Sequence, residues 1–248
     1  MNLIEFNAPK EYLEANKELY PVPIKTNIPD WFKKLKHSSE AMTIKGCMPF
    51  LETLTHGYLL KTPQSLYIRH NFLNSQGQKD SEHKFALDGQ ESQYLQSRFM
   101  NLNTTGGHNL HNKIQLAGSP LLEKNKDLPV YKFSNPWQIK TPKGYSCLLL
   151  PPLNNSDDRF SIIPGIVETD LFTNRINFPF IINGDKYPTL ETTIEAGTPY
   201  VQIIPFKRDD WKMKIGKIDS ESIAKENFYY KIFAFQYKKW FHRKRKWI

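Results

Sequence analysis

Cysteine is nearly absent: Cys47 and Cys147 are the only two in 248 residues, too few for a disulfide framework and at no metal-ligand spacing. A reducing compartment is the simple expectation. Long apolar runs are missing too. The opening "MNLIEFNAPKEYLEAN" lacks the basic start and the apolar run of roughly 7–15 residues that mark a signal peptide. No stretch approaches the ~20 apolar residues of a membrane span. No internal repeat of fixed period is visible, which argues against a repeat architecture. These absences predict a soluble chain in the cytoplasm, without a membrane partner.

What is present is enough to fold. Aromatic residues make up 13% of the chain and hydrophobic residues 39%, so burial can offset the entropy of ordering 248 residues. Lys and Arg outnumber Asp and Glu 34 to 25, and the surplus of nine is concentrated. From residue 238 onward "KKWFHRKRKWI" carries Lys238, Lys239, Arg243, Lys244, Arg245 and Lys246 with no acid. Such a run neutralises phosphates, and Trp240, Phe241 and Trp247 beside it would stack on bases, so nucleic acid is a candidate partner for the tail. The bland alternative is a solvated terminal charge run whose aromatics pack.

Along the chain, residues 1–58 read as a helical N-terminal segment. In "TNIPDWFKKLK", Pro29 suits a first helical position with Asp30 just after it, and Trp31, Phe32 and Leu35 form an apolar face. "CMPFLETLTHGY" repeats the device with Pro49, and Gly57 is the expected stop. Residues 59–212 have the texture of a β core, in which short β-prone runs are split by Pro, Gly and Asn. Strands are expected over 130–133, 137–140 and 145–150, with the turn Pro142-Lys143-Gly144 between the last two. Residues 74–126 interrupt that core as a polar excursion. The apolar run 178–182 suggests burial on both faces, while Pro179 points to a strand start or an edge. Residues 213–248 are expected to form an amphipathic helix capped by Asp219 or Ser220, with Tyr230, Phe233, Tyr237, Trp240 and Phe241 at helical spacing and the basic tail at its end. An alternating strand over 232–237 is the other reading. The fold class is therefore mainly β in one domain, with short N-terminal helices and a C-terminal helix.

The order "PKGYSCLLLPPLN", "PGIVETD", "INFPFIING", "IEAGTPYVQIIPF" resembles the central half of the β-clip fold of the dUTPase and dCTP deaminase family, over about a third of the chain. The resemblance implies a β-clip-like antiparallel core. It places Gly165 in the family's G-V-I element, Glu168 and Asp170 at its water-orienting carboxylates, Phe172 beside the position of its stacking tyrosine, and Gln202 at its last glutamine. It also implies Mg²⁺ where hydrolysis occurs, and a homo-oligomer, commonly a trimer. This chain departs from the pattern: Leu171 replaces the tyrosine, Pro199 an arginine, and "LPPLN" the phosphate-holding Gly-Arg-Ser element. The stretches "IPDWFKKL" and "NPWQIKTPKGYS" further resemble a family seen in marine bacteriophage and bacterial genomes, which brings no activity with it.

Two carboxylates without cationic or amide donors for a triphosphate do not make a hydrolase. The expectation is a non-catalytic binding or assembly protein without a cofactor, such as a bacteriophage virion or host-interaction component in the host cytoplasm or the virion. The alternative is a nucleotide-processing hydrolase in which Glu168 or Asp170 orients water. His108 and His111, three apart in "GGHNLHNK", have no third ligand at a recognised spacing and read as loop histidines rather than a metal site.

Overall fold

The computed structural model describes residues 2–38, 40, 42–73, 76–85, 110–111, 113–125, 128, 130–232 and 237–248. Strands dominate, arranged in antiparallel sheets with few helices. Five strands form the largest sheet, in the order β11 (Gly165–Val167), β9 (Tyr145–Leu150), β14 (Pro199–Lys207), β3 (Tyr58–Lys61) and β2 (Val22–Pro23). A second sheet runs β10 (Phe160–Ile162), β12 (Phe178–Ile182), β7 (Val130–Phe133) and β6 (Leu110–His111). A third runs β13 (Leu190–Ile194), β4 (Leu66–Leu73) and β5 (Lys79–Phe85), and β1 (Glu5–Asn7) pairs with β8 (Gln138–Lys140). Among the described residues the helices are α1 (Lys10–Ala15), α2 (Asp30–Lys34), α3 (Met48–Thr55), α4 (Pro120–Asn125) and α5 (Ser220–Ile232).

The sheets share one apolar core because their alternating faces converge. Phe133 and Phe180 stack at 4.7 Å, Tyr131 stacks on Phe180 at 5.4 Å, and Tyr200 of β14 meets Phe133 and Phe178 edge-on from the neighbouring sheet. Leu66 and Ile68 of β4 and Ile194 of β13 join the same cluster. Each large side chain removed from water there contributes ~1.5–3 kcal/mol, and aromatic pairs add ~0.5–1.5 kcal/mol. From the N-terminal segment, Tyr12 packs edge-on against buried Trp137 at 5.6 Å.

Several expectations need adjusting. The N-terminal segment is helical only in pieces and also lends β1 and β2 to the sheets. Pro29 is the residue before α2, extended at ψ 145, so the helix begins at Asp30. Part of the polar excursion is ordered into β5, β6, the 3-10 turn Lys113–Leu116 and α4; residues 86–109, with His108, lie outside the described residues. Pro179 sits inside β12, between β10 and β7, rather than on an edge. Its carbonyl accepts from Ile163 N–H at 2.8 Å just beyond the end of β10, so the N–H it lacks falls where that ladder stops. α5 is capped by Asp219, whose carboxylate accepts from Ser222 N–H at 2.8 Å. It carries no apolar stripe over 220–228, where Ile223 and Phe228 are five apart and every residue is exposed. Phe233 and most of the alternative strand 232–237 lie outside the described residues. No helix among the described residues is long and apolar enough to cross a membrane.

Candidate functional site

The turn after β11 is built on the edge strand of the five-stranded sheet. Leu171 N–H and Phe172 N–H both donate to the Glu168 carbonyl, at 3.0 and 2.8 Å, which reverses the chain tightly. Between them the side chains take opposite fates. Thr169 is buried and shares a 2.7 Å hydroxyl contact with Thr141 while donating to Cys147 Sγ at 3.3 Å. Burial pushes the Cys147 thiol up to about 11, against the opposing bond from Thr169. Glu168, Leu171 and Phe172 face solvent.

Asp170 is the best-anchored acid of the turn, its side chain only 2% exposed. Arg208, just past the end of β14, grips it as a fork: Nη1 donates to Oδ1 at 2.7 Å and Nη2 to Oδ2 at 2.5 Å. Gly144 N–H adds a bond to Oδ2 at 2.7 Å, and the Gly144 carbonyl accepts from Arg208 N–H at 2.8 Å. Gly144 can make this turn because its φ is +85°. The Arg208 hydrogen bonds, seconded by Gly144 N–H and opposed by desolvation, hold the Asp170 carboxyl down at about 2. Its oxygens are thus committed to closing three chain segments together. A Mg²⁺ ion needs ionised oxygen ligands; with Asp170 engaged by Arg208, only Glu168 of the pair is open to solvent, and the two do not fit as a shared cation seat.

Gln202 lies elsewhere. It is fully buried in β14, opposite Leu150, and its amide ties together two connections: Oε1 accepts from Leu153 N–H at 2.8 Å, and Nε2 donates to the carbonyls of His56 at 2.7 Å and Thr53 at 3.2 Å. Six residue steps along the chain separate it from Arg208, a span of roughly 20 Å. Gly165 pairs with Leu149 on the exposed edge. The residues assigned by resemblance therefore do not meet in one concavity: Glu168, Asp170 and Phe172 share the turn, while Gln202 belongs to the opposite end of the sheet.

Of the other histidines, His111 Nδ1 is 2.8 Å from Gln115 Oε1, and His56 Nδ1 is 2.9 Å from Glu52 Oε2. Among the described residues no three of His, Cys, Asp and Glu are grouped to hold a metal ion.

The C-terminal tail folds back onto α3. His242 Nε2 meets Glu52 Oε1 at 2.6 Å and Arg245 Nη1 meets Glu52 Oε2 at 3.3 Å. Trp247 packs against the rings of His56 at 4.6 Å and Tyr58 at 5.7 Å, and Tyr58 Oη donates to the Ile248 carbonyl at 3.2 Å. Burial raises the Glu52 carboxyl, but hydrogen bonds from His242 and His56 outweigh it and bring it below the usual range. Trp247 thus packs, as the bland reading of the tail expects, whereas Trp240 and Phe241 stay exposed in the π-helical turn Tyr237–Phe241. Lys238, Lys239 and Lys244 come to one side, lining a cavity with α2 and the segment before α3; Arg243, Arg245 and Lys246 do not line it. Composition marks the tail, whereas the "KKLK" run of residues 33–36 shows in the sequence only as charge beside the apolar residues Trp31, Phe32 and Leu35, which point to packing.

Comparison with protein-family models, with curated proteins and with solved structures found no match for this chain.

Proposed function

We propose that this chain is a non-catalytic binding and assembly subunit on a β-clip-like core, which associates with copies of itself through the segment that follows β14. One observation carries this reading. Residues 209–228 leave the sheet and are exposed throughout, yet they hold large apolar side chains: Trp211 is 91% exposed, Met213 85%, Ile215 86% and Ile218 64%. Trp211, Met213 and Ile215 alternate with Lys212 and Lys214, the period of an extended strand with one apolar and one charged face. Each such side chain gains ~1.5–3 kcal/mol on leaving water. A contiguous run of them on a monomer marks an interaction surface. Ile166, Leu171 and Phe172 add exposed apolar surface at the edge strand β11, where a strand from a second copy finds unpaired backbone groups. The commitment of Asp170 to Arg208 supports the non-catalytic half of the reading. A closed homo-oligomer, with a trimer as the expected form, fits the β-clip resemblance, and a place in a larger particle fits the resemblance to phage-encoded chains.

Light scattering over a hundredfold dilution tests it. The expected mass is a multiple of the 29.1 kDa chain. Substituting Ser at Trp211, Met213 and Ile215 together should return the monomer. A wild-type chain that stays monomeric at every concentration refutes assembly. Pyrophosphate release from any deoxynucleoside triphosphate with Mg²⁺, abolished in Glu168→Gln, refutes the non-catalytic half.

A further inference from the structure

The strongest unassigned feature is the cavity between α2, the turn Ile44–Gly46, α3 and the C-terminal tail, about 1330 Å³ in volume. Its lining is basic on two facing sides drawn from chain segments some 200 residues apart in sequence. One wall carries Lys33, Lys34, Lys36 and Lys45; the other carries Lys238, Lys239 and Lys244. No acid is among the described residues that line it. Two of the lysines are occupied locally, Lys33 by Asp30 at 3.2 Å and Lys45 by the Lys33 carbonyl at 2.7 Å. That leaves five, Lys34 and Lys36 on one side and Lys238, Lys239 and Lys244 on the other, all exposed. The floor is apolar: Phe32, Leu35, Met48 and Leu51.

Like charges gathered in this way repel one another, and nothing in the core requires them to be close. The geometry is nevertheless held. His242 and Arg245 clamp the tail to Glu52 on α3, and within the first wall the His37 ring lies so near Gly46 that a Cβ there would sit 2.4 Å from it, so the turn packs against the segment after α2 only because residue 46 has no side chain. Exposed aromatic residues stand next to the lining lysines in sequence, at the rim rather than in the lining itself. Trp31, half exposed, stands edge-on to Phe32 at 5.6 Å, and exposed Tyr237, Trp240 and Phe241 bracket the tail lysines in sequence.

We propose that this cavity is a binding groove for single-stranded nucleic acid, with Lys34, Lys36, Lys238, Lys239 and Lys244 on the phosphates and Trp31, Trp240 and Phe241 stacking on unpaired bases. Facing cationic walls over an apolar floor match a strand that carries charge on its backbone and apolar faces on its bases. A duplex hides those faces, and a flat anionic lipid surface reaches only the rim of a concavity. The groove, rather than the basic run of the tail as a whole, is the site. Arg243, Arg245 and Lys246 lie outside it.

The test is fluorescence anisotropy of the full-length chain with labelled dT15, titrated at 50–200 mM NaCl. Five phosphate contacts to a single strand give a slope of log affinity against log salt of about −3.5, which is roughly a hundredfold loss across that range. Lys34→Glu with Lys36→Glu, and separately Lys238→Glu with Lys239→Glu, should each weaken binding by about 25-fold or more at 100 mM salt and flatten the slope to about −2. Arg243→Glu with Lys246→Glu, the same charge change at residues that do not line the cavity, should weaken binding several-fold less than either groove pair because it removes no phosphate contact. All the substituted lysines are on the surface, and circular dichroism is used to check that each variant is folded. Loss confined to the tail pair would refute the groove, as would equal loss in all three variants. So would wild-type binding to phosphatidylserine vesicles in the absence of any binding to dT15.

Discussion

Replacing Gln202 by methionine separates a structural amide from a ligand-binding one. The side chain has nearly the same length, so packing in β14 is kept and the polar bonds are lost. Three bonds go: the acceptor for Leu153 N–H and the donors to the His56 and Thr53 carbonyls. A neutral hydrogen bond contributes ~0.5–1.5 kcal/mol net, and a buried group left unpaired costs toward the upper end, so the expected loss is about 3 kcal/mol. For a chain of this size 1 kcal/mol moves the midpoint by about 2–4 °C, which predicts a Tm lower by roughly 6–12 °C. Thermal unfolding followed by circular dichroism reads it directly. A Gln202→Met chain that melts within about 2 °C of wild type would show that the amide does not hold the β9–β14 end to the chain after α3, and would return Gln202 to the list of ligand contacts.

Asp170 makes stability depend on acid in a defined window. Its carboxyl lies at about 2 in the folded chain, below an ordinary aspartate, so its contribution is complete above about pH 4 and is lost as pH falls toward 2. The gap in urea midpoint between wild type and Asp170→Asn should be constant from pH 7 to 5 and close toward pH 2; a gap that widens in acid contradicts this. Glu52→Gln removes the charge that holds His242 and Arg245, so trypsin should cut after residues 243–246 several-fold faster at pH 7.5, and unchanged cleavage rates would mean that Trp247 alone docks the tail. Gly57→Ala places a Cβ 2.1 Å from the Ile203 carbonyl oxygen at φ +85°, where the backbone itself costs a non-glycine residue ~1–2 kcal/mol, and the chain should lose more than ~2 kcal/mol or fail to accumulate as folded protein. Normal expression and melting of that variant would show that the turn relaxes.

The single-stranded groove and the apolar arm make different demands on the same chain and are tested by different substitutions. Ser at Trp211, Met213 and Ile215 changes mass without touching the lysine walls; charge reversal at Lys34 and Lys36 changes binding without touching the arm. Their surfaces share no residue, so the failure of one leaves the other standing.

Local pattern determined the strands. Residues 130–133 and 145–150, the Pro142–Gly144 turn and the stop at Gly57 were legible because alternation and a positive φ are properties of neighbouring residues. The basic tail and the cap at Asp219 were legible for the same reason. What a residue does when its partner is distant in sequence was decided only by tertiary structure. Asp170 looked like a catalytic acid until Arg208, 38 residues on, came to face it, and Gln202 looked like a ligand contact until Thr53 and His56, some 150 residues earlier, took its amide. Lys34 and Lys36 share a cavity with Lys238, Lys239 and Lys244 only because the C-terminal tail closes opposite them. Side-chain periodicity records which face of an element is apolar. The electrostatic environment of a charged or polar group is set by whatever lies within a few ångströms, and chain folding alone brings those groups together.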